Sequence, residues 1–317
     1  MKRRLTLLFV LLAVLALTGC TEQEEKKITF SDTGIRSDVI GVATEGTTLT
    51  IKVAGTYILT GSCNEGNIIV DAPGGKPVTL VFDGLKLTSS TVSPIYVKNC
   101  PMVILEIREK TQNIIADHRP APEENEDENA AESTATTLPV AAIESKSPLL
   151  IRGQSEGQLV VDAACRNGIT SNDTLTIEGG VVNVTAKNHA LRGRDYVLIS
   201  GGVITLKADN DGIRATNIDR PSLGYVLIKG GVINITADDE GIYAPRSINF
   251  EDGTISIKSK NNGIKAGIKD ENGLLSGGTV NFNAGIITVT ANDNAVIAAD
   301  QNRRDEALVT LNGKVME

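Results

Sequence analysis

Six times between residues 167 and 296 the chain repeats one short phrase, a polar residue, then Gly or Ala, then an aliphatic. The copies are Asn167-Gly168-Ile169, His189-Ala190-Leu191, Asp211-Gly212-Ile213, Glu240-Gly241-Ile242, Asn262-Gly263-Ile264 and Asn294-Ala295-Val296. Their aliphatics are spaced by 22, 22, 29, 22 and 32 residues. About ten residues into each copy a second signal follows, a turn pair feeding an alternating run, as in Gly201-Gly202 before Ile204-Thr205-Leu206-Lys207-Ala208. Alternation of β-branched and small polar residues marks strands, not helices. A fixed period of this length marks stacked units that bury a core only together. The pattern therefore predicts an all-β fold, a right-handed parallel β-helix with coils of about 22 residues. The two long steps place insertions at one corner, over Thr216–Tyr225 and Gly267–Gly278.

The remaining chain extends this reading. Residues 48–115 hold short apolar runs between turn residues, which suit irregular first coils that protect an exposed edge. Ala142–Ser145, Leu149–Arg152 and Leu159–Val161 resume the strand pattern. Between them, 119–139 is acidic and without aromatics, which predicts a disordered loop within the solenoid. At the far end Ala307–Leu311 and Asn312-Gly313 read as one more strand and turn, with no cap visible after them.

Residues 1–20 read as an address. Lys2, Arg3 and Arg4 precede an apolar run from Leu5 to Leu17, and Leu17-Thr18-Gly19-Cys20 has the shape of a lipobox. The expectation is an exported protein lipid-anchored at Cys20, with a tether over 21–30 and one β-helix domain over 31–317. Cys63, Cys100 and Cys165 then remain, an odd count that implies buried thiols and no disulfide framework.

Charge narrows the partners. A net charge of −8 argues against nucleic acid. Aromatics at 3% with no Trp remove the flat platform on which neutral polysaccharides stack, and so favour charged sugars.

Stacking brings equivalent positions to about 4.8 Å, so columns of the repeat become rows on the surface. One row is the polar corner, where Asp209, Asp211, Asp238, Asp239 and Glu240 gather in two adjacent coils. Carboxylates at that spacing repel by roughly 1 kcal/mol in water and about 3 kcal/mol at an effective dielectric of 20. A hard cation, Ca²⁺, would relieve them; a ladder of turn-forming Asn and Asp is the alternative. The second row lies one residue beyond each aliphatic and contains Thr170, Arg192, Arg214, Tyr243, Lys265 and Ile297. Arg192, Arg214, Tyr243 and Lys265 are candidate carbohydrate-binding residues, able to hold sugar carboxylates. The two histidines, His118 and His189, give poor support to triad chemistry. The enzymatic alternative is β-elimination of a uronate, with Arg214 or Lys265 as base.

Three groups of residues carry a resemblance: Gly55-Thr56-Tyr57-x-Leu59-x-Gly61, Ala142-Ile143-x-Ser145-Lys146-x-x-Leu149-x-Ile151-x-Gly153, and the repeated Asp-Gly-Ile corners. Over residues 28–315 they resemble a bacterial family of carbohydrate-binding β-helix proteins. Its members are exported, bind cellulose and acidic sugars, carry calcium and look like calcium-dependent pectate lyases. The resemblance implies polysaccharide binding without demonstrated lyase activity. It carries calcium ligation to Asp209, Asp211, Asp238 and Asp239. The chain departs from the family in its Asn-rich coils at 261–262 and 292–294 and in lacking a clear C-terminal extension. Together these readings predict a monomeric, lipid-anchored surface protein that binds polysaccharide with calcium. A polysaccharide lyase is the first alternative, and a structural or adhesive surface protein the second.

Overall fold

The alternating runs are strands, and each coil carries three of them. The computed structural model describes residues 27–121, 139–154, 156–269 and 275–317, and among these all regular structure is β-strand. Nearly every pairing is parallel and joins a strand to its equivalent one coil on. Three faces result. A short face carries the repeated phrase, with Asn167–Ser171, Leu191–Gly193, Ile213–Ala215, Ile242–Ala244, Ile264–Ala266 and Val296–Ile297 side by side. A middle face runs through Thr174–Ile177, Tyr196–Ile199, Tyr225–Ile228, Ser247–Phe250, Thr279–Phe282 and Asp300–Arg303. A long face follows, with Val181–Ala186, Val203–Ala208, Val232–Ala237, Thr254–Ser259, Gly285–Ala291 and Ala307–Leu311.

Register turns the repeat into columns. Ile169, Leu191, Ile213, Ile242, Ile264 and Val296 are Cα partners in succession, and all but the last are fully buried. Phe250 and Phe282 stack at 5.3 Å on the inner side of the middle face. Each buried aliphatic contributes roughly 1.5–3 kcal/mol, counted against a fully exposed side chain. Neighbouring positions alternate outward: Arg214 is half-buried between the fully buried Ile213 and Ala215.

Two glycine columns make the coil close. Gly180, Gly202, Gly231, Gly253 and Gly285 turn the chain between the middle and long faces at positive φ, from 90° to 114°, a region open to Gly alone at low cost. At Gly241 the constraint is space: an added Cβ would lie 2.2 Å from Ile257 and 2.5 Å from the Gly263 carbonyl.

The ends and insertions refine the sequence reading. The chain joins the stack at Lys27, not at residue 31, because Lys27–Ser31 pairs with Gly55–Cys63. The signal segment, Cys20 and the first tether residues lie outside the described residues. Ile95–Asn99 pairs directly with Ala141–Ser145, so the stack is continuous across the acidic insertion. That insertion is narrower than 119–139. Arg119 grips Asp117 at 2.6 and 2.8 Å and donates to the Pro139 carbonyl at 2.8 Å, pinning its two ends; residues 122–138 lie outside the described residues. At the far end Asn312 and Gly313, both at positive φ, turn Lys314–Val315 back antiparallel onto Ala307–Leu311. This small hairpin pairs with the C-terminal end of the last long-face strand, Val309 to Leu311, at the edge that the sequence reading leaves uncapped. Cys63, Cys100 and Cys165 are free thiols, all buried.

Candidate functional site

Where the long face turns into the short face, each coil contributes three corner residues, and these form three columns with different fates. The outermost holds Lys187, Asp209, Asp238 and Lys260. Lys187 pairs with Asp209 at 2.8 Å and Lys260 with Asp238 at 2.7 Å, with Asp238 half-buried and the other three exposed. Such pairs are worth at most about 1 kcal/mol, and they turn Asp209 and Asp238 away from the other acids. The five expected metal ligands are thus split. Asp211, Asp239 and Glu240 come together, with a carboxylate oxygen of each within 4.8 Å of the others.

The innermost column is a polar ladder, the alternative that the sequence offered for this corner, and it is buried from Asn167 to Asn262. The His189 backbone N–H donates to Asn167 Oδ1 at 3.2 Å, and the Asp211 N–H to His189 Nδ1 at 3.4 Å. The Glu240 N–H donates to Asp211 Oδ1 at 3.1 Å, Asn262 Nδ2 to Glu240 Oε1 at 3.2 Å, and Asn294 Nδ2 to Asn262 Oδ1 at 3.1 Å. From Asn167 to Asp211 the phrase's polar residue supplies an acceptor for the next coil's backbone N–H, and an unmatched buried donor there would cost about 1–3 kcal/mol; beyond Glu240 the ladder runs from side chain to side chain. Burial, with Arg214 and Arg192 nearby, pushes His189 well below its ordinary pKa, and its Nδ1 acts as acceptor.

Three carboxylates in this space cannot all ionise freely. Burial pushes Asp211 up to about 7, against the pull of Arg214. Burial also raises Asp239, and its hydrogen bond to Glu240 raises it further. Burial opposes ionisation of Glu240 too, but hydrogen bonds from Asp239 and Lys265 outweigh it and hold Glu240 at about 2. The cluster thus keeps Glu240 as its firm anion, beside two carboxyls that hold their protons more tightly than a free carboxylate does.

The outward row of the short face adjoins this corner. Arg192, Arg214, Tyr243 and Lys265 are consecutive Cα partners across four coils. Arg214 Nη1 donates to Asp211 Oδ2 at 2.7 Å, and Lys265 Nζ to Glu240 Oε1 at 2.6 Å. Both cations also flank the Tyr243 ring, at 4.7 and 5.6 Å from its centroid. Arg192 reaches Asn172 at 3.4 Å and Thr216 at 3.5 Å. Tyr243 Oη donates to the Gly267 carbonyl at 3.3 Å. Thr216 and Gly267 begin the two insertions, which leave the opposite corner of the same face. The row is therefore bordered by acids on one side and by insertions on the other. Its second member, Arg214, and its fourth, Lys265, already hold buried carboxylates.

Asp211, Asp239 and Glu240 offer oxygen donors of the kind a hard cation takes. Two of the three anionic positions already face Arg214 and Lys265, so one further positive charge, or one shared proton, completes the balance. Among residues the sequence reading missed, Asn261 binds Asp239 at 2.6 Å, and Lys187 and Lys260 divide the acids. The available signal was the K-D-D-K order of the outer corner column.

A family model described as carbohydrate-binding domain-containing protein matches residues 45–314. A protein of Acetivibrio thermocellus described in the same words is 32% identical over 197 residues, covering 58% of this chain. The match spans 65% of that relative's length, just under two thirds. Among solved structures, the polysaccharide lyase-like protein from C. thermocellum, solved as a gadolinium derivative, superposes with a TM-score of 0.67 at 28% identity. The superposition covers 90% of this chain and 99% of that one.

Proposed function

This chain belongs to the carbohydrate-binding domain family, and from that premise we propose that it binds an acidic polysaccharide along the outward row of its short face without cleaving it. The observation that carries the reading is the adjacency of Arg192, Arg214, Tyr243 and Lys265 to the Asp211, Asp239 and Glu240 cluster. Arginine and lysine side chains suit sugar carboxylates, and a tyrosine ring suits the apolar face of a pyranose. Ca²⁺ at Asp211, Asp239 and Glu240 would bridge the protein to a sugar carboxylate. Binding without cleavage is supported by the ion pairs themselves: Arg214 and Lys265 donate to buried carboxylates at 2.7 and 2.6 Å, which ties up the protons a general base would have to lack.

The lipobox supports anchoring at Cys20, with the protein exported and displayed on the membrane surface. Titration of oligogalacturonate into the protein, with absorbance followed for unsaturated product, tests binding and cleavage together. Saturable binding with no absorbance rise is expected. A rise that persists in dilute protein would replace the binding reading by a lyase.

A structural or adhesive role has one observation in its favour. On the long face Val203, Val232, Ile286 and Leu308 are 44%, 43%, 49% and 53% exposed, in one register row broken by Thr254. An exposed apolar row of this kind suits a protein partner.

A further inference from the structure

The outward row does not stop at Arg192. In the strand Ile95–Asn99, Ile95 and Val97 are fully buried and Tyr96 points outward. Tyr96 is the Cα partner of Glu144, Glu144 of Thr170, and Thr170 of Arg192. One column of seven side chains therefore runs from Tyr96 to Lys265. Five coil steps separate Tyr96 from Tyr243, about 24 Å at the spacing of neighbouring strands.

Each of the two tyrosines is flanked by two cations. Arg214 and Lys265 flank Tyr243; Lys98 and Lys146 flank Tyr96, with ammonium groups 6.0 and 5.7 Å from its ring centroid. They differ in charge balance. Around Tyr243 each cation holds a buried carboxylate. Lys98 and Lys146 are exposed, and among the described residues neither forms an ion pair. The nearest acid in the column, Glu144, is 5% exposed and accepts the Val140 N–H. Burial pushes its pKa up, against the pull of Arg192, Lys146 and Arg119. Two coils along, Thr170 Oγ1 is buried with no hydrogen-bond partner among the described residues.

We propose that Tyr96, Lys98 and Lys146 form a second anion-binding subsite, which takes a carboxylated sugar unit of the same polymer chain that lies over Tyr243. The inference rests on the acidic-polysaccharide reading and adds a direction and a length. The chain lies along the solenoid axis, and only an oligomer long enough to reach both tyrosines engages both. Paired lysine ammoniums supply the point charges for a carboxylate, and the ring between them supplies apolar contact to the sugar.

The test compares wild type with K98A/K146A, both exposed positions whose loss leaves the core intact. Two oligogalacturonates are titrated calorimetrically, one too short to span the tyrosines and one long enough. Wild type binds the long oligomer more tightly than the short one. The double variant, melting at the wild-type temperature, loses about ten-fold or more of the long-oligomer affinity and keeps its short-oligomer affinity. Equal long-oligomer affinity in variant and wild type overturns the subsite and leaves the proposed function standing. Absence of binding by wild type to either oligomer overturns the proposed function, and the subsite with it.

Discussion

Replacing Asp211 by alanine tests the buried ladder at its most connected position. Asp211 is fully buried, accepts the Glu240 N–H at 3.1 Å and holds Arg214 at 2.7 Å. Truncation leaves the Glu240 N–H without an acceptor, at about 1–3 kcal/mol. Arg214 is about one quarter exposed and regains water, so its lost partner costs at most about 1 kcal/mol. Opposing both is relief of a carboxyl whose pKa burial has raised to about 7. A raised carboxyl gives its full stability below its unfolded pKa and loses it as pH rises through the folded value. The alanine penalty is therefore largest below about pH 4, shrinks as the pH rises towards about 7 and changes no further above it. At pH 5 a loss of about 2–3 kcal/mol lowers the melting temperature by roughly 4–12 °C for a chain of this size. Asp211→Asn keeps an acceptor for Glu240 and loses under about 1 kcal/mol. Thermal unfolding by circular dichroism, with chelator present throughout, measures both variants. If D211N is as damaging as D211A, or D211A melts within a degree of wild type, the position is not held by backbone satisfaction.

Other outcomes follow from the same geometry. Calcium raises the melting temperature of wild type and not of D239N/E240Q. Its binding releases a proton from Asp211, so affinity falls as pH drops through about 7, read by calorimetry in buffers of different ionisation enthalpy. Gly241→Ala forces a Cβ to within 2.2 Å of Ile257 and costs about 1–3 kcal/mol in chemical denaturation; a neutral result means this coil accommodates alanine as readily as those that carry Ala190 and Ala295. Cys20→Ala shifts the protein from the membrane to the soluble fraction and abolishes labelling by radioactive fatty acid; unchanged fractionation with unchanged labelling rejects the lipobox reading.

The columns were legible because side chains alternate across a strand, so a fixed period fixes which residues face inward. Ile213 in and Arg214 out follow from sequence alone. The corner was less legible. Asp209, Asn210 and Asp211 are neighbours in a turn, where no alternation applies, and only the backbone path sends Asp211 inward and leaves Asp209 to Lys187. Hence five acids appeared as one cluster where the structure holds three. The Tyr96 position was hidden by irregular early coils. Ile68, Ile95, Ile143 and Ile169 lie in one column, yet their steps are 27, 48 and 26 residues. The rule that found Arg214, one residue past the inward aliphatic, places Tyr96 on the same row once Ile95 is assigned to the column. The closing hairpin was missed for a different reason. Asn312-Gly313 is a hairpin turn signal, but the two residues that pair across it are too few to read as a strand.

The central claim is that the row and the acidic corner act together on an acidic sugar chain. Calorimetric titration of oligogalacturonate into wild type and R214A/K265A, each with calcium and then with chelator, tests it most directly. The account predicts saturable heat for wild type with calcium, weakened by chelator and by about ten-fold or more in the double variant. Identical binding in wild type and variant, or no heat under any condition, would contradict it.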